Sequence, residues 1–305
     1  MCDIWKRRDR EEFDPLRLER HRDSIKKLGV RHVVLTGGEP LLNRDLAAIC
    51  TFFRGLNIKT TLLTTGLLLY KRAGLVAEMF DDLIISIDGP PAIHDQIRRI
   101  PSAFATIQRG VVAIRNHAPK LPISCRTTVQ KLNHTHLRET VSAAKSLELN
   151  SISFLAADVS SKAFNREQGW TDERQREIAL TRKEIDVLQN EINLLIATFE
   201  DEIRAGFIAE NPMKLRRLVT RFLEYIEHIP PKAPLCNAPW VSAVIETDGS
   251  VKPCFFHETI GNINSSNLED VVNSTTGMNF RENLDVATNA VCQRCVCSLN
   301  YRSNN

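Results

Sequence analysis

The 305-residue sequence lacks the features of membrane-spanning and nucleic-acid-binding proteins. Its longest apolar stretches are about the length of a β-strand, whereas a helix that spans a bilayer needs about 20 apolar residues. It also lacks an excess of charge of one sign, because 40 Lys and Arg residues are balanced by 37 Asp and Glu residues, which gives a net charge of +3. No basic stripe is interleaved with aromatic residues. We therefore expect neither a membrane nor a nucleic acid as partner, and a length that suits one large domain and a small one.

The N-terminus also lacks the hydrophobic region of a signal peptide, since Met1 to Arg8 is largely polar and charged. We therefore expect a cytoplasmic protein in a reducing environment. There, the eight cysteines of the sequence are more often metal ligands, reactive groups or buried thiols than disulfides.

The first half of the chain alternates helical patterns with short apolar runs. The runs lie at Val33–Leu35, Lys59–Leu63, Leu83–Ile87, Ile123–Val129 and Ser151–Leu155. Strand–helix alternation at this spacing predicts an α/β fold with a parallel sheet and with site residues at the carboxyl ends of the strands. Five strands are visible, and a barrel or partial barrel would require at least one more, before Met1.

Later segments differ in pattern, which divides the chain into three predicted parts: 1–165, 166–230 and 231–305. Apolar residues from Ile178 to Ile203 fit one long helix, and Pro212 opens a second that runs through Glu227. A proline-rich linker follows. Two strands, Val241–Glu246 and Ser250–Cys254, then flank an Asp-Gly turn, which predicts a hairpin.

Four cysteines of the C-terminal part have the spacing of metal ligands. Cys292 and Cys295 form a CxxC pair, Cys254 ends a hairpin strand, and Cys236 lies just before that hairpin. A hairpin with a CxxC turn can gather four soft ligands around zinc or around an iron–sulfur cluster, and cysteine spacing leaves both metals open. Cys297 follows closely as a spare thiol.

Polar residues follow successive predicted strands. Gly37, Gly38 and Glu39 follow the first strand, and the paired glycines would let a ligand approach the backbone. Ser86 ends the third strand and Arg126 lies inside the fourth, where a ligand carboxylate or a neighbouring acid would satisfy its charge. Together these residues predict one concave site at the strand ends, although Gly37 and Gly38 would also suit an ordinary turn. The histidines at positions 94, 134 and 136 are expected at the surface or at helix caps.

These motifs, in this order, resemble the radical S-adenosylmethionine (SAM) superfamily. Gly37-Gly38-Glu39-Pro40 matches its GGEP motif, and Ser86-Ile87-Asp88-Gly89 resembles its ribose-contacting strand end. The C-terminal cysteines, with Gly249 placed before Cys254, resemble its SPASM/twitch auxiliary-cluster domain. The resemblance implies a partial (β/α)6 TIM-like barrel with the first strand largely missing, then helices and a small cysteine-rich hairpin domain. It also favours iron–sulfur over zinc.

The resemblance assigns roles to individual residues. Gly37, Gly38 and Glu39 would hold the SAM amino group, Ser86 would touch the ribose, and Arg126 is a candidate for the SAM carboxylate. One auxiliary [4Fe–4S] cluster would be held by the four C-terminal cysteines, namely Cys236, Cys254, Cys292 and Cys295. Thr65 departs from the pattern, because many members have Asn there.

The resemblance is incomplete at the catalytic [4Fe–4S] cluster, whose ligands occupy a CxxxCxxC loop in the family. Cys2 matches only the third ligand, so the first two cysteines and the first strand would precede Met1. The hypothesis is that Met1 is internal to a longer reading frame. The alternatives are a truncated paralogue without radical chemistry and a zinc-ribbon binding module on an α/β scaffold.

The implied activity is reductive cleavage of SAM to a 5′-deoxyadenosyl radical, which abstracts hydrogen from a peptide or small-molecule substrate. An electron donor such as flavodoxin or ferredoxin is implied as a partner. Peptide maturation is favoured over small-molecule oxidation.

Overall fold

The computed structural model describes residues 3–6, 12–166, 168–227, 229–297 and 299–301. Its N-terminal half is a five-stranded parallel sheet in which the strands lie in sequence order, β1-β2-β3-β4-β5. The strands are β1 (His32–Leu35), β2 (Lys59–Thr64), β3 (Asp82–Ser86), β4 (Ile123–Val129) and β5 (Ser151–Ala156). This confirms the predicted α/β fold and partial barrel.

Helices separate the strands and continue beyond them. Before and between the strands lie α1 (Leu16–Arg20), α2 (Arg22–Lys27), α3 (Leu46–Arg54), α4 (Leu69–Met79), α5 (Pro91–Arg98), α6 (Ala103–His117) and α7 (Leu137–Ser146). After them come α8 (Asp172–Ile178), α9 (Arg182–Thr198), α10 (Glu200–Arg204), α11 (Pro212–Ile226), α12 (Ala238–Val241), α13 (Leu268–Val272), α14 (Thr275–Asn283) and α15 (Ala290–Gln293). Short 3₁₀ turns lie at Ile4–Lys6 and Pro40–Leu42.

The two faces of the sheet differ in polarity, because alternate residues of a strand point to opposite sides. On one face Leu62, Ile85, Cys125 and Ile152 are fully buried in the core that packs against the helices. On the other face lie partly exposed residues that include Ser86 and Arg126. The polar inner face is therefore available for a site.

The free edge of β5 is extended by one further contact. Ile208 forms a parallel bridge with Ile152, and the Ile152 N–H donates to the Phe207 carbonyl at 2.7 Å. The chain thus returns beside β5 just before α11 and brings Glu210 to the barrel.

The prediction of one long helix from Ile178 to Ile203 is wrong. The chain breaks between α8 and α9, where Thr181 caps α9 and forms a capping box with Glu184. It breaks again at Phe199, before α10. The helix predicted from Pro212 is confirmed as α11, whose N-terminus is capped by the Asn211 side chain.

The C-terminal part contains the predicted hairpin in a shorter form. β6 (Val244–Ile245) and β7 (Ser250–Lys252) are antiparallel, and β8 (Gly261–Asn262) adds a third strand. Val241 lies in α12 rather than in a strand because Pro239 favours the first turn of a helix. Gly249 closes the turn with a φ of +82°, a conformation that favours glycine.

This small sheet packs against the first helices of the chain. Val251, Ile263 and Leu268 share a buried cluster with Leu18 of α1 and Phe52 of α3. Lys27 and Glu269 form an ion pair of 3.2 Å across the same contact. The C-terminal part is therefore attached at the β1 edge of the sheet, through α1, α2 and α3.

Among the helices of the described ranges, none combines the length and the apolar character that crossing a membrane requires.

Candidate active site and metal centre

The loop after β1 is open on one side. Gly37 has a φ of +146°, which disfavours any residue with a side chain, and a Cβ there would meet no atom within 4 Å. Gly38 lies against the segment that follows Cys2, because a Cβ at Gly38 would be 3.7 Å from Ile4 Cγ2. The two glycines therefore leave backbone accessible to a ligand beside residues 3–6.

Glu39 connects the ends of β1 and β2. Its Oε1 accepts the Thr64 hydroxyl proton at 2.8 Å, and its Oε2 accepts the Thr65 N–H at 2.9 Å. The Thr65 hydroxyl and the Leu41 N–H donate to the same carboxylate. The carboxylate is thus held in one orientation, and Thr65, where the sequence departs from the family pattern, contributes two of the donors.

Ser86 and Arg126 are neighbours on the inner face. The strand register places Ser86 beside Arg126 and Arg126 beside Ser153. Arg126 Nε lies 3.3 Å from Ser153 Oγ, which can accept its proton. Polar groups of β3, β4 and β5 therefore lie at one level of the barrel.

Glu210 adds a carboxylate near this row. Its Oε2 accepts the Phe154 N–H at 2.9 Å. Burial raises the pKa of Glu210, while the Phe154 hydrogen bond and the nearby Arg126 charge oppose that rise. Glu210 is thus an acid close enough to be influenced by the charge of Arg126, and sequence patterns had not identified it.

Asp88 does not join the open site. It is buried, its Oδ2 forms an ion pair of 2.7 Å with Arg98, and its Oδ1 accepts the Thr128 N–H. Its own N–H donates to Nδ1 of His94 at 3.1 Å. The expectation that His94 is a surface or cap residue is wrong, because its side chain is fully buried and braces the loop after β3.

Cys2, the predicted ligand of the catalytic cluster, lies outside the described residues. The segment after it is well anchored: Asp3 is buried, its N–H donates to the Phe164 carbonyl at 3.0 Å, and its Oδ2 accepts the Trp170 Nε1 proton at 2.9 Å. The start of the described chain is therefore held against the loop that follows β5.

That loop, whose described residues are 158–166 and 168–170, is built around a buried ion pair. The fully buried Arg166 pairs with the Asp158 carboxylate and donates to the Asp158 carbonyl at 2.7 Å. Phe164, which has a φ of +60°, packs against Phe255 and edge-on against Phe256, directly after Cys254. One loop therefore contacts both the segment after Cys2 and a cysteine-bearing segment of the C-terminal part.

The structure brings four predicted ligands around a single pocket. Cys236, Cys254, Cys292 and Cys295 line it together with His257. The other lining residues are apolar: Pro234, Pro239, Phe256, Val286 and Val291. Cys236 precedes α12, Cys254 follows β7, and the other two frame the end of α15.

Electrostatics in this pocket disfavour thiolates unless cations accompany them. Burial raises the pKa of Cys292 to about 11, and the nearby Cys254 and Cys236 add to that rise. Burial also raises the pKa of Cys254. Several thiolates at close quarters repel one another, and metal ions offset that repulsion by coordinating them in deprotonated form.

Four thiols around one apolar-walled pocket suit either zinc or an iron–sulfur cluster. The donor set therefore fits an iron–sulfur cofactor.

Two residues that support the pocket carry no sequence signal of their own. His257 Nε2 lies 3.4 Å from Cys292 Sγ. Arg221 of α11 donates to the Gln293 carbonyl, inside the CxxC turn, at 2.8 Å. Cys297, the spare thiol, is exposed, and its backbone carbonyl is 3.1 Å from Cys295 Sγ.

Family models match both parts of the chain. The model of the radical SAM superfamily matches residues 1–151, and the model of SPASM, an iron–sulfur cluster-binding domain, matches residues 236–296. The two matches contain the strand-end loops and the four-cysteine pocket respectively.

Curated relatives are similar over part of their length. AdoMet-dependent heme synthase of Methanosarcina barkeri is 32% identical over 128 residues, which are 41% of this chain and 36% of that protein. PqqA peptide cyclase of Methylocella silvestris is 26% identical over 249 residues, which are 80% of this chain and 60% of that protein. The matches therefore cover from about a third to three fifths of these relatives.

Solved structures share the fold at low sequence identity. The structure described as native anSMEcpe with bound AdoMet has a TM-score of 0.66 at 16% identity, and the match covers 96% of this chain and 84% of that one. SuiB of Streptococcus suis bound to precursor peptide SuiA has a TM-score of 0.60 at 14% identity, with 98% and 68% covered. The strand-end loops, the cysteine pocket and the two family matches agree: the chain belongs to the radical SAM superfamily, and its C-terminal part is a SPASM-type iron–sulfur cluster-binding domain.

Proposed function

We propose that this chain is the catalytic part of a radical SAM maturase that modifies a peptide. When bound, the catalytic [4Fe–4S] cluster supplies one electron that cleaves SAM to methionine and a 5′-deoxyadenosyl radical, which takes a hydrogen atom from the substrate. The protein orients the cofactors and excludes water. The observation that carries the proposal is the four-cysteine pocket next to a barrel whose strand ends carry the GGEP loop.

Each strand end has a task in SAM binding under this proposal. The exposed backbone at Gly37 and Gly38 accepts the SAM amino group, and Glu39 adds negative charge in an orientation fixed by Thr64. Ser86 contacts the ribose. Arg126 pairs with the SAM carboxylate, because its guanidinium can bind a carboxylate through two parallel hydrogen bonds.

The C-terminal cysteines have a separate task. Cys236, Cys254, Cys292 and Cys295 would hold one auxiliary [4Fe–4S] cluster, and Cys2 would be one ligand of the catalytic cluster. An auxiliary cluster can accept an electron from the substrate radical, relay it, or bind the substrate. The position of Phe164 between the segment after Cys2 and the residues after Cys254 supports close communication between the two sites.

A peptide substrate is supported by the relatives. PqqA peptide cyclase matches 80% of this chain, and the SuiB structure contains its precursor peptide SuiA. We infer a peptide rather than a small molecule for this reason. A flavodoxin or ferredoxin is the proposed electron donor.

The auxiliary cluster is tested by anaerobic reconstitution. A Cys2→Ala variant should retain about four iron and four sulfide ions per chain, as one [4Fe–4S] cluster requires. Changing Cys292 to Ser in that background should remove most of both. Protein that binds one zinc ion and no iron would contradict the proposal and favour a zinc-ribbon module.

SAM cleavage is the second test. Enzyme that carries a complete catalytic cluster should release 5′-deoxyadenosine with a strong reductant, and Arg126→Met should reduce that release. A candidate peptide should then change mass when it is incubated with the enzyme and SAM. If the iron-loaded enzyme releases no 5′-deoxyadenosine, the non-catalytic paralogue is the better interpretation.

A further inference from the structure

His257 connects two cysteine-bearing segments of the pocket. Its backbone N–H lies 3.4 Å from the carbonyl of Cys254, three residues earlier in the turn after β7. Its side-chain Nε2 lies 3.4 Å from Sγ of Cys292, 35 residues away in the chain. One residue therefore joins the hairpin cysteine to the first cysteine of the CxxC turn.

The ring of His257 is fixed in this position from its other side. Phe280 of α14 packs against it edge to face, with ring centroids 4.8 Å apart. The contact restricts the imidazole to an orientation in which Nε2 faces the sulfur. Because the five other non-cysteine residues that line the pocket are apolar, no lining side chain besides His257 offers an N–H there.

The chemistry of the sulfur determines which partner donates. A cysteine sulfur bound to iron is a thiolate and can only accept a hydrogen bond, so the proton of a neutral imidazole would lie on Nε2. An N–H that points at a cluster sulfur stabilises the reduced cluster more than the oxidised one, because the reduced form carries more negative charge. Hydrogen bonds to sulfur are among the factors that set cluster potentials.

We propose that His257 is a positioning residue of the auxiliary cluster, which donates its Nε2 proton to the Cys292 thiolate and raises the reduction potential of that cluster. This inference rests on the proposed cluster at Cys236, Cys254, Cys292 and Cys295. His257 would not be an iron ligand itself. Its effect is to make the cluster a better acceptor for an electron that leaves the substrate.

The test compares two substitutions in the full chain with the Cys2→Ala change, so that only the C-terminal cluster contributes. His257→Phe keeps a ring against Phe280 but has no donor, and His257→Gln restores an N–H at a similar reach. His257→Phe should shift the reduction equilibrium about tenfold toward the oxidised cluster. For a one-electron couple this lowers the midpoint potential by about 59 mV. His257→Gln should recover most of that shift, and the control His136→Phe, on the barrel, should leave the potential unchanged.

Equal midpoint potentials for the parent and His257→Phe would overturn the inference. A His257→Gln variant whose midpoint potential is as low as that of His257→Phe would overturn it as well. Absence of iron in the parent protein would instead refute the cluster itself, and with it the proposed function. A second measurement needs no variant at position 257. With ¹⁵N-labelled histidine, pulsed electron paramagnetic resonance of the reduced cluster should detect a weak nitrogen coupling, whereas no coupling, or the strong coupling of a direct ligand, would contradict a hydrogen bond.

Discussion

Arg221 donates a hydrogen bond of 2.8 Å to the carbonyl of Gln293, which lies between the two cysteines of the CxxC turn. The guanidinium also pairs with Glu224 at 2.6 Å, and its side chain is only 10% exposed. A helix more than 60 residues upstream of the turn thus fixes the peptide group between two proposed cluster ligands. Groups that orient ligands in this way often matter nearly as much as the ligands.

Arg221→Met should therefore weaken the auxiliary cluster without removing a ligand. We expect iron to be lost to a chelator about 10-fold faster, in line with the usual effect of removing an outer partner of a metal ligand. Iron release is followed by absorbance under anaerobic conditions. Arg216→Met, an exposed change on the same helix, is the control, and equal release rates for the two variants would refute the role of Arg221.

The fourth thiolate of the cluster is predicted to be Cys295 rather than Cys297. Cys295 lines the pocket, whereas Cys297 is exposed and is not among the lining residues. Cys295→Ser should lose most of the iron, and Cys297→Ser should keep about four iron ions per chain. Iron and sulfide analysis after reconstitution distinguishes them, and the opposite pattern would assign the ligand to Cys297.

The buried pair of Arg166 and Asp158 should be important for stability. Arg166→Met leaves the Asp158 carboxylate, which is 7% exposed, without its cation, and breaking a buried pair in this way costs about 3–5 kcal/mol. Arg204→Met removes an exposed arginine with two acidic partners and should cost less than about 1 kcal/mol. Chemical denaturation measures both values. A similar loss for the two variants would mean that the pair adds no more than a surface contact.

His94 should make the fold sensitive to mild acid. Burial lowers the pKa of His94 from 6.5 to about 4, and the Arg98 charge adds to this effect. Between these two values the unfolded chain binds a proton that the folded chain does not, so the free energy of unfolding falls as pH falls through this window, by up to about 3 kcal/mol. Protonation would also break the hydrogen bond from the Asp88 N–H.

Measuring unfolding from pH 7 to pH 4 for the parent and for His94→Asn isolates this contribution. The Asn side-chain oxygen can accept the Asp88 N–H but does not titrate. The difference between the two pH profiles should grow below about pH 6.5. Parallel profiles would show that His94 titrates normally in the folded protein.

Glu39 should control SAM affinity through its charge and its orientation. In Glu39→Gln an NH2 group replaces the oxygen that accepts the Thr65 N–H. The loop therefore loses both a negative charge and a hydrogen-bond acceptor. We expect SAM to bind about 10-fold more weakly, a difference of about 1.4 kcal/mol. Equilibrium binding of labelled SAM to iron-loaded enzyme measures this, with exposed Glu78→Gln as control. Unchanged affinity would show that Glu39 does not contribute to SAM binding.

The sheet was predictable because its strands are apolar on the buried face and are separated by turns and helices. The bounds predicted for β4, Ile123–Val129, agree with the structure. The break before α9 was missed because apolar periodicity continues across it. Thr181 with Glu184 is a capping box, which is a readable start signal for a helix.

The site was only partly predictable. Gly37, Glu39, Ser86 and the four cysteines belong to short motifs, so the sequence identified them as candidates. His257 and Arg221 were not predicted, because their partners lie 35 and 72 residues away and the contacts exist only once the chain has folded. No local pattern reports such a contact. Glu210 was missed for the same reason, since it reaches the barrel through the bridge at Ile208.

The loop from Asp158 to Trp170 has a consequence for domain exchange between relatives. It holds Asp3 through Trp170 and Phe164, and it packs the Phe164 ring against Phe255 and Phe256. A SPASM domain transplanted from another enzyme would arrive without the surface that receives Phe164. Chimeric enzymes built on this barrel should therefore inherit the loop and the transplanted domain from the same parent.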